Sequence, residues 1–332
     1  MLRKLSIAVS AALVVLGLEA AAQEKPVVNF GIISTETTQN LRQQWDPLLR
    51  AMSEQTGLEI KPFFASDYAG IIEAQRFKKV DVAWYGHKAA MEAVDRAGGE
   101  VFVQTVNVDG REGYYANVVV HKDSPFNTLE DVLKCDKSLN FGLGDPNSTS
   151  GFLVPMAYIF APRRIDPKEC FKTVRSANHE ANLLAVANKQ ADVAVNNNDS
   201  LARLKTTHPN AYDKIKVIWT STLLPSDAMV WRKDLDEDIK RRLMMFFMSF
   251  GRLGTVEEVR RARQLLASMT WGPFRPSGNS HLYLVRRLEI TKDILRVTGD
   301  DKIPEPEKKA RLEALQSQLD ALNTLAEEIP HR

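Results

Sequence analysis

Two stretches of this chain are built alike. "SDYAGIIEAQRFKKVDVAWYG" runs from Ser66 to Gly86, and "NHEANLLAVANKQADVAVNNN" runs from Asn178 to Asn198. Each reads as a helix, a lysine-containing turn and a short strand "DVA". Setting Asp81 on Asp192 fixes the offset at 192 − 81 = 111 residues, and the same offset lays Tyr68 on His179. Both residues then fall in the first turn of their helix. Helix–turn–strand units recur in any α/β protein, but a matched pair predicts two α/β domains of similar design.

The flanking sequence agrees. "PVVNFGIIS" reads as a buried strand. In "NLRQQWDPLLRAMSEQTG", Leu41, Trp45, Leu48, Leu49 and Met52 recur at helical spacing, with Gly57 as the stop. "LEIKPFFA" is the next strand, so the sheet is expected to be largely parallel. The second domain opens at "YYANVVVHKDSPF", with Asn127 or Thr128 capping a helix that carries Glu130 and Asp131 in its first turn. "KVIWTSTLLPSDAMVWRKDL" leaves that domain and returns to the first. The chain is expected to cross twice, near Tyr115 and near Leu224, which makes a hinge with a cleft. The divisions expected are 1–22, 23–115, 116–224, 225–295 and 296–332: an export leader, the first part of lobe 1, lobe 2, the second part of lobe 1 and a C-terminal helical extension. In that extension Leu312, Leu315, Leu319, Leu322, Ala326 and Ile329 alternate spacings of three and four. Such a stripe suits packing on its own chain or pairing with a second copy, a possible homodimer.

The N-terminus has Arg3 and Lys4, an apolar run from Leu5 to Leu18 and a small-residue site at Ala20-x-Ala22. This is the pattern of a cleaved signal peptide, and the run is short for a membrane span. A periplasmic protein is expected. Export permits a disulfide between Cys135 and Cys170, and the sequence leaves that pairing open. Charge is balanced, with 44 basic and 42 acidic residues. That gives no field for nucleic acid or an anionic membrane, so a charged ligand must be met by a local site. Two distant cysteines and scattered histidines offer no metal spacing, and no motif asks for a cofactor.

The local site suggested is "GDPNSTSGF", from Gly144 to Phe152. Ser148, Thr149 and Ser150 precede an apolar helix, where unpaired N–H groups and hydroxyls together can hold an anion without lysine. A plain N-cap needs one hydroxyl. Three in succession exceed it, and both readings remain open. Pro155 falls early in this helix and is expected to disturb it. Tyr68 and His179 could address the same anion from their helix starts. Trp84, Tyr85 and Tyr114 could be core aromatics or cleft walls. Asp199 and Asp227, near strand ends, would suit an amine or be solvated loop acids. "GLGDPNSTSG" is not a P-loop, because no Gly-Lys-Ser/Thr follows. No Gly-x-Ser-x-Gly or paired-carboxylate arrangement signals catalysis, so no enzyme is expected.

Together "NFGIISTETTQNLRQQWDPLL", "FFASDYAGIIEAQRFKKVDVAWYG", "AMEAVDRAGG", "FGLGDPNSTSGFLVP", "HEANLLAVANKQADVAVNNN" and "VWRKDL" resemble the phosphonate-binding periplasmic proteins of ABC transporters. The resemblance spans nearly all of the chain after the leader. It implies a type II periplasmic-binding-protein fold, two lobes closing on a small phosphonate that passes to a membrane permease. It places the phosphonate on Ser148, Thr149, Ser150, Tyr68 and His179, with Tyr114 at the cleft. It places the amine of 2-aminoethylphosphonate on Asp199 and Asp227. Asp199 stands where the family pattern has a glutamate, one methylene longer. It implies dimerisation through C-terminal helices. An inorganic oxyanion such as phosphite or phosphate, and an enzyme on this fold, are the other readings.

Overall fold

The computed structural model describes residues 25–328. The expected leader at 1–22 and Ile329 lie outside the described residues. The strands are β1 (Val27–Ile32), β2 (Glu59–Phe64), β3 (Val82–Tyr85), β4 (Gly99–Gln104), β5 (Gly113–Tyr114), β6 (Ala116–His121), β7 (Asn140–Leu143), β8 (Thr173–Ser176), β9 (Val193–Asn197), β10 (Ile215–Thr220), β11 (Leu224–Pro225), β12 (Ala228–Arg232) and β13 (Arg275–Pro276). They form a six-stranded sheet, β13-β4-β12-β3-β1-β2, and a five-stranded sheet, β10-β6-β9-β7-β8. A third, two-stranded sheet joins β5 to β11, pairing Leu224 with Tyr114. The outgoing and returning chains therefore run side by side between the lobes. This is the two-lobed type II periplasmic-binding-protein fold.

The parallel expectation holds for β2-β1-β3 and for β8-β7-β9. It does not hold throughout. β12 is antiparallel to both β3 and β4, and β6 is antiparallel to β9 and β10. The reason is the crossing: a chain that comes back from the other lobe enters the sheet from the opposite end.

The helices are α1 (Thr38–Thr56), α2 (Tyr68–Arg76), α3 (His87–Arg96), α4 (Leu129–Val132), α5 (Pro167–Cys170), α6 (His179–Ala187), α7 (Asn198–Thr207), α8 (Pro209–Tyr212), α9 (Glu237–Ser249), α10 (Val256–Ser268), α11 (Tyr283–Gly299) and α12 (Glu305–Glu328). Leu41, Trp45, Leu48, Leu49 and Met52 are the buried face of α1, and Gly57 ends it with φ +70°. Only a residue tolerant of the left-handed region fits there, which is why the helix stops at glycine. Thr128 rather than Asn127 caps α4, in a reciprocal capping box with Asp131.

The repeat is structural as well as sequential. Asp67 caps α2 and Asn178 caps α6, each accepting from the third residue of its helix. The turns that follow place Lys78 at φ +58° and Lys189 at φ +57°. Asp81 then accepts from the Asn29 backbone N–H at 2.8 Å, and Asp192 from that of Asn140 at 2.7 Å. Each aspartate pins the strand it precedes to the neighbouring strand.

Trp45, Trp84 and Trp271 meet one another in the core of the first lobe, with ring centroids 5.3 to 6.0 Å apart. Tyr85 is fully buried and donates to Gln75 Oε1. Trp84 and Tyr85 are thus core aromatics. In the second lobe Cys135 and Cys170 are joined by a disulfide. α12 packs along α11, with Leu322 buried and Leu312, Leu315, Leu319 and Ala326 half-buried. α11 in turn sets Val285 and Leu288 against Tyr114, Leu153, Val154 and Leu224, directly behind the crossing. Among the described residues no helix is long and apolar enough to span a membrane.

Candidate functional site

"GDPNSTSGF" leaves the C-terminal end of β7, where sheets of this kind place ligands. Its two glycines permit a backbone contact. The Gly144 N–H donates to the Gly151 carbonyl at 2.8 Å, and a Cβ on Gly144 would lie 2.6 Å from the Gly151 Cα. Pro155 explains why that carbonyl is available, since it has no N–H to return four residues back. The helix here is wound in π-type turns, over Thr149–Leu153 and Met156–Phe160. The disturbance expected from Pro155 is therefore a change of helical winding around it.

Ser148 is the N-cap, accepting from the Gly151 N–H at 3.0 Å. Thr149 Oγ1 accepts from the Lys88 backbone N–H of the other lobe, also at 3.0 Å. Ser150 Oγ accepts from Asn197 Nδ2 at 3.1 Å. All three side chains are buried. Each oxygen already receives a proton from the protein, so the Thr149 and Ser150 hydroxyls keep their own protons to donate, while that of Ser148 has His179 Nε2 at 3.5 Å as a long acceptor. Capping uses one of the three. The other two are held by a neighbouring lobe and a neighbouring strand.

The two helix-start residues converge on the same place. The Tyr68 hydroxyl lies against Ser148, and its backbone N–H donates across the cleft to Asp145 at 3.2 Å. Burial, then the nearby Asp145 and Asp227, push its pKa far up, so it stays a neutral donor. His179 Nε2 sits 3.5 Å from Ser148 Oγ and 3.3 Å from Asn197 Nδ2. Burial, with Arg203 adding, depresses the His179 pKa to about 3. The ring is neutral. The Asn197 amide donates to Nε2, which leaves the ring proton on Nδ1, a buried nitrogen with no protein partner. Tyr114, on β5 at the crossing, brings its hydroxyl against Thr149, and burial raises its pKa well above the ordinary value.

Asp199 and Asp227 close the other end. Asp199 lies in the first turn of α7, not in a loop, and Asp227 immediately precedes β12. Burial first, then Asp199, raises the Asp227 pKa to about 7. Arg203 and the Trp84 indole oppose that rise, although the Trp84 N–H makes no hydrogen bond of normal geometry. Burial also raises Asp199, against the pull of Arg203 and Arg111. Gly86 separates the two ends. A Cβ there would stand 3.3 Å from Thr149 Oγ1 and 3.7 Å from Asp227 Oδ1. Both ends lie within one side chain's reach of a single Cα.

All eight residues expected at the site are therefore brought together. Sequence reasoning missed Asn197, Asp145, Arg203, Glu36 and Glu180. Arg203 is buried. Burial works against its charge, but Glu36, Asp199 and Asp227 hold its pKa above the ordinary arginine value. It pairs with Glu36 of the first lobe. Beside it Glu180 accepts from the Thr37 N–H at 2.8 Å and from the Asn40 amide, both on the first lobe.

A family model described as "ABC transporter, phosphonate, periplasmic substrate-binding protein" matches residues 30–282. The chain is 48% identical over 305 residues to the phosphonates-binding periplasmic protein of Escherichia coli K12, covering 92% of this chain and 88% of that one. This chain belongs to the periplasmic substrate-binding proteins of phosphonate ABC transporters. Among solved structures, a binding protein component of the ABC phosphonate transporter of Pseudomonas aeruginosa superposes with a TM-score of 0.88 at 48% identity, covering 92% of this chain and 99% of that one. PhnD1 of Prochlorococcus marinus, in complex with methylphosphonate, shares the fold, with a TM-score of 0.69 at 19% identity over 79% of this chain and 96% of that one. Membership makes the ligand a small molecule, the partner a membrane transporter and the compartment the periplasm.

Proposed function

We propose that this transport component captures organic phosphonates bearing an amine, foremost 2-aminoethylphosphonate, in the cleft between its lobes and delivers them to an inner-membrane permease. The observation that carries the phosphonate half is the hydroxyl arrangement. Ser148, Thr149 and Ser150 each accept from the protein; Thr149 and Ser150 retain a proton to give, and Ser148 can turn its own from the long contact with His179 Nε2 to a ligand. With Tyr68, Tyr114 and the helix N-terminus, they form a donor set for an oxyanion with no cation in it. The amine half is supported by Asp199 and Asp227. Their raised pKa values mark carboxylates that lack sufficient positive charge, which a ligand ammonium supplies. The chain acts as a carrier without turnover, made as a precursor whose leader is removed. Pairing with a second copy through α12 belongs to the same proposal, although its stripe packs along α11 and is only partly left open by it.

Isothermal titration of the mature protein tests the ligand. 2-Aminoethylphosphonate is expected to bind at micromolar dissociation constant or tighter, ahead of ethylphosphonate, phosphite and phosphate. Tighter binding of phosphite or phosphate would replace the amine reading with an inorganic one. No binding of any phosphonate below millimolar concentration would sink the proposal altogether.

A further inference from the structure

Glu36 and Arg203 are 167 residues apart in the chain and meet where the lobes touch. Glu36 is on the loop between β1 and α1, and Arg203 is on α7. Neither side chain is open to water, with 7% and 14% of its surface exposed. Arg203 Nη2 also donates to Ser200 Oγ at 2.9 Å, and the Ser200 N–H donates to Asn197 Oδ1 at 2.7 Å. Asn197 holds Ser150. The guanidinium is therefore one chain of hydrogen bonds from the hydroxyl end, while its charge acts on Asp199 and Asp227 at the other.

We propose that Glu36 is a specificity-determining residue that acts through Arg203: by pairing with the guanidinium as the lobes close, it keeps the acid end net negative and reserves that end for a cationic group. An unpaired Arg203 would itself offset one of the two aspartate charges, or add to the grip on the anion. Either outcome lessens the advantage of an amine on the ligand. Because the two partners come from different lobes, the charge of the cleft is set by the same movement that closes it. A buried guanidinium with its partner removed acts at low local dielectric, where one charge counts for far more than in water. The inference rests on the reading of Asp199 and Asp227 as the amine site.

The test is the ratio of dissociation constants for ethylphosphonate and 2-aminoethylphosphonate, which differ only at the amine. Glu36→Gln is expected to lower that ratio on the order of tenfold relative to the parent protein. Glu36→Asp, which keeps the charge, should preserve the ratio. Asn40→Ala removes a cross-lobe hydrogen bond to Glu180 without changing any charge, and should weaken both ligands by the same factor. A ratio unaltered by Glu36→Gln would make Glu36 a closing contact only and overturn the inference, with the proposed function intact. A parent ratio near one would overturn the amine reading, and this inference with it.

Discussion

At its hydroxyl end the cleft presents neutral donors, and at its acid end three carboxylates share one guanidinium. Among the described residues, no lysine or arginine side chain is hydrogen-bonded to Ser148, Thr149 or Ser150. On the proposed reading of the cleft, the contrast follows from what each end must do before the ligand arrives. Neutral hydroxyls with satisfied acceptors cost little to bury, and they can wait for an anion without a charge of their own. Buried carboxylates cannot wait at no cost. Asp199 and Asp227 answer by holding protons more tightly than exposed acids do, and Arg203 answers by pairing with Glu36. On that reading one end is indifferent to the rest of the ligand, and the other depends on it.

The largest expected effect strikes the indifferent end. Replacing both Ser148 and Thr149 by alanine removes two donors to a charged group, each worth about 1.5–3 kcal/mol. Calorimetry should show every phosphonate weakened by at least on the order of a hundredfold, with or without an amine. Loss confined to amine-bearing ligands would break the contrast. Asp227→Asn comes next. It should cost 2-aminoethylphosphonate about 2 kcal/mol, on the order of thirtyfold, and leave ethylphosphonate within about twofold. Equal losses for the two ligands would merge the ends into one site. The smallest effect is on pH. The Asp227 pKa near 7 means that the empty cleft takes up a proton as pH falls through neutrality. An ammonium prefers the ionised carboxylate, so its binding releases that proton and weakens as pH falls. Between pH 8 and pH 6 the parent protein should lose roughly fivefold more affinity for 2-aminoethylphosphonate than Asp227→Asn does, the ligand's own titration being common to both. Equal pH dependence in the parent protein and in Asp227→Asn would remove Asp227 from the amine site.

The hydroxyl end was more legible in the sequence than the acid end, for a physical reason. Ser148, Thr149 and Ser150 are contiguous, and Tyr68 and His179 are tied to them by a repeat whose turns and caps coincide. Local pattern carries that much. Asp199 and Asp227 could be named as candidates but not told from solvated acids, because their raised pKa values come from burial. Glu36 and Arg203 were not visible at all. Arg203 sits on an amphipathic helix where a cation ordinarily faces water, and its partner is 167 residues away. The fold was readable from strand–helix alternation, with the antiparallel strands at each crossing as the exception. Direction in the sheet depends on where the chain re-enters, which no local periodicity records.

The sheet order has a consequence for how the protein is made. β12 lies between β3 and β4. A chain emerging from its N-terminus therefore carries an unfilled slot in the middle of its first sheet until Arg232 has appeared. The second sheet has all its strands by Thr220. During export the lobe begun first is the last to be finished, and its open strand edges are the ones left to be guarded on the way.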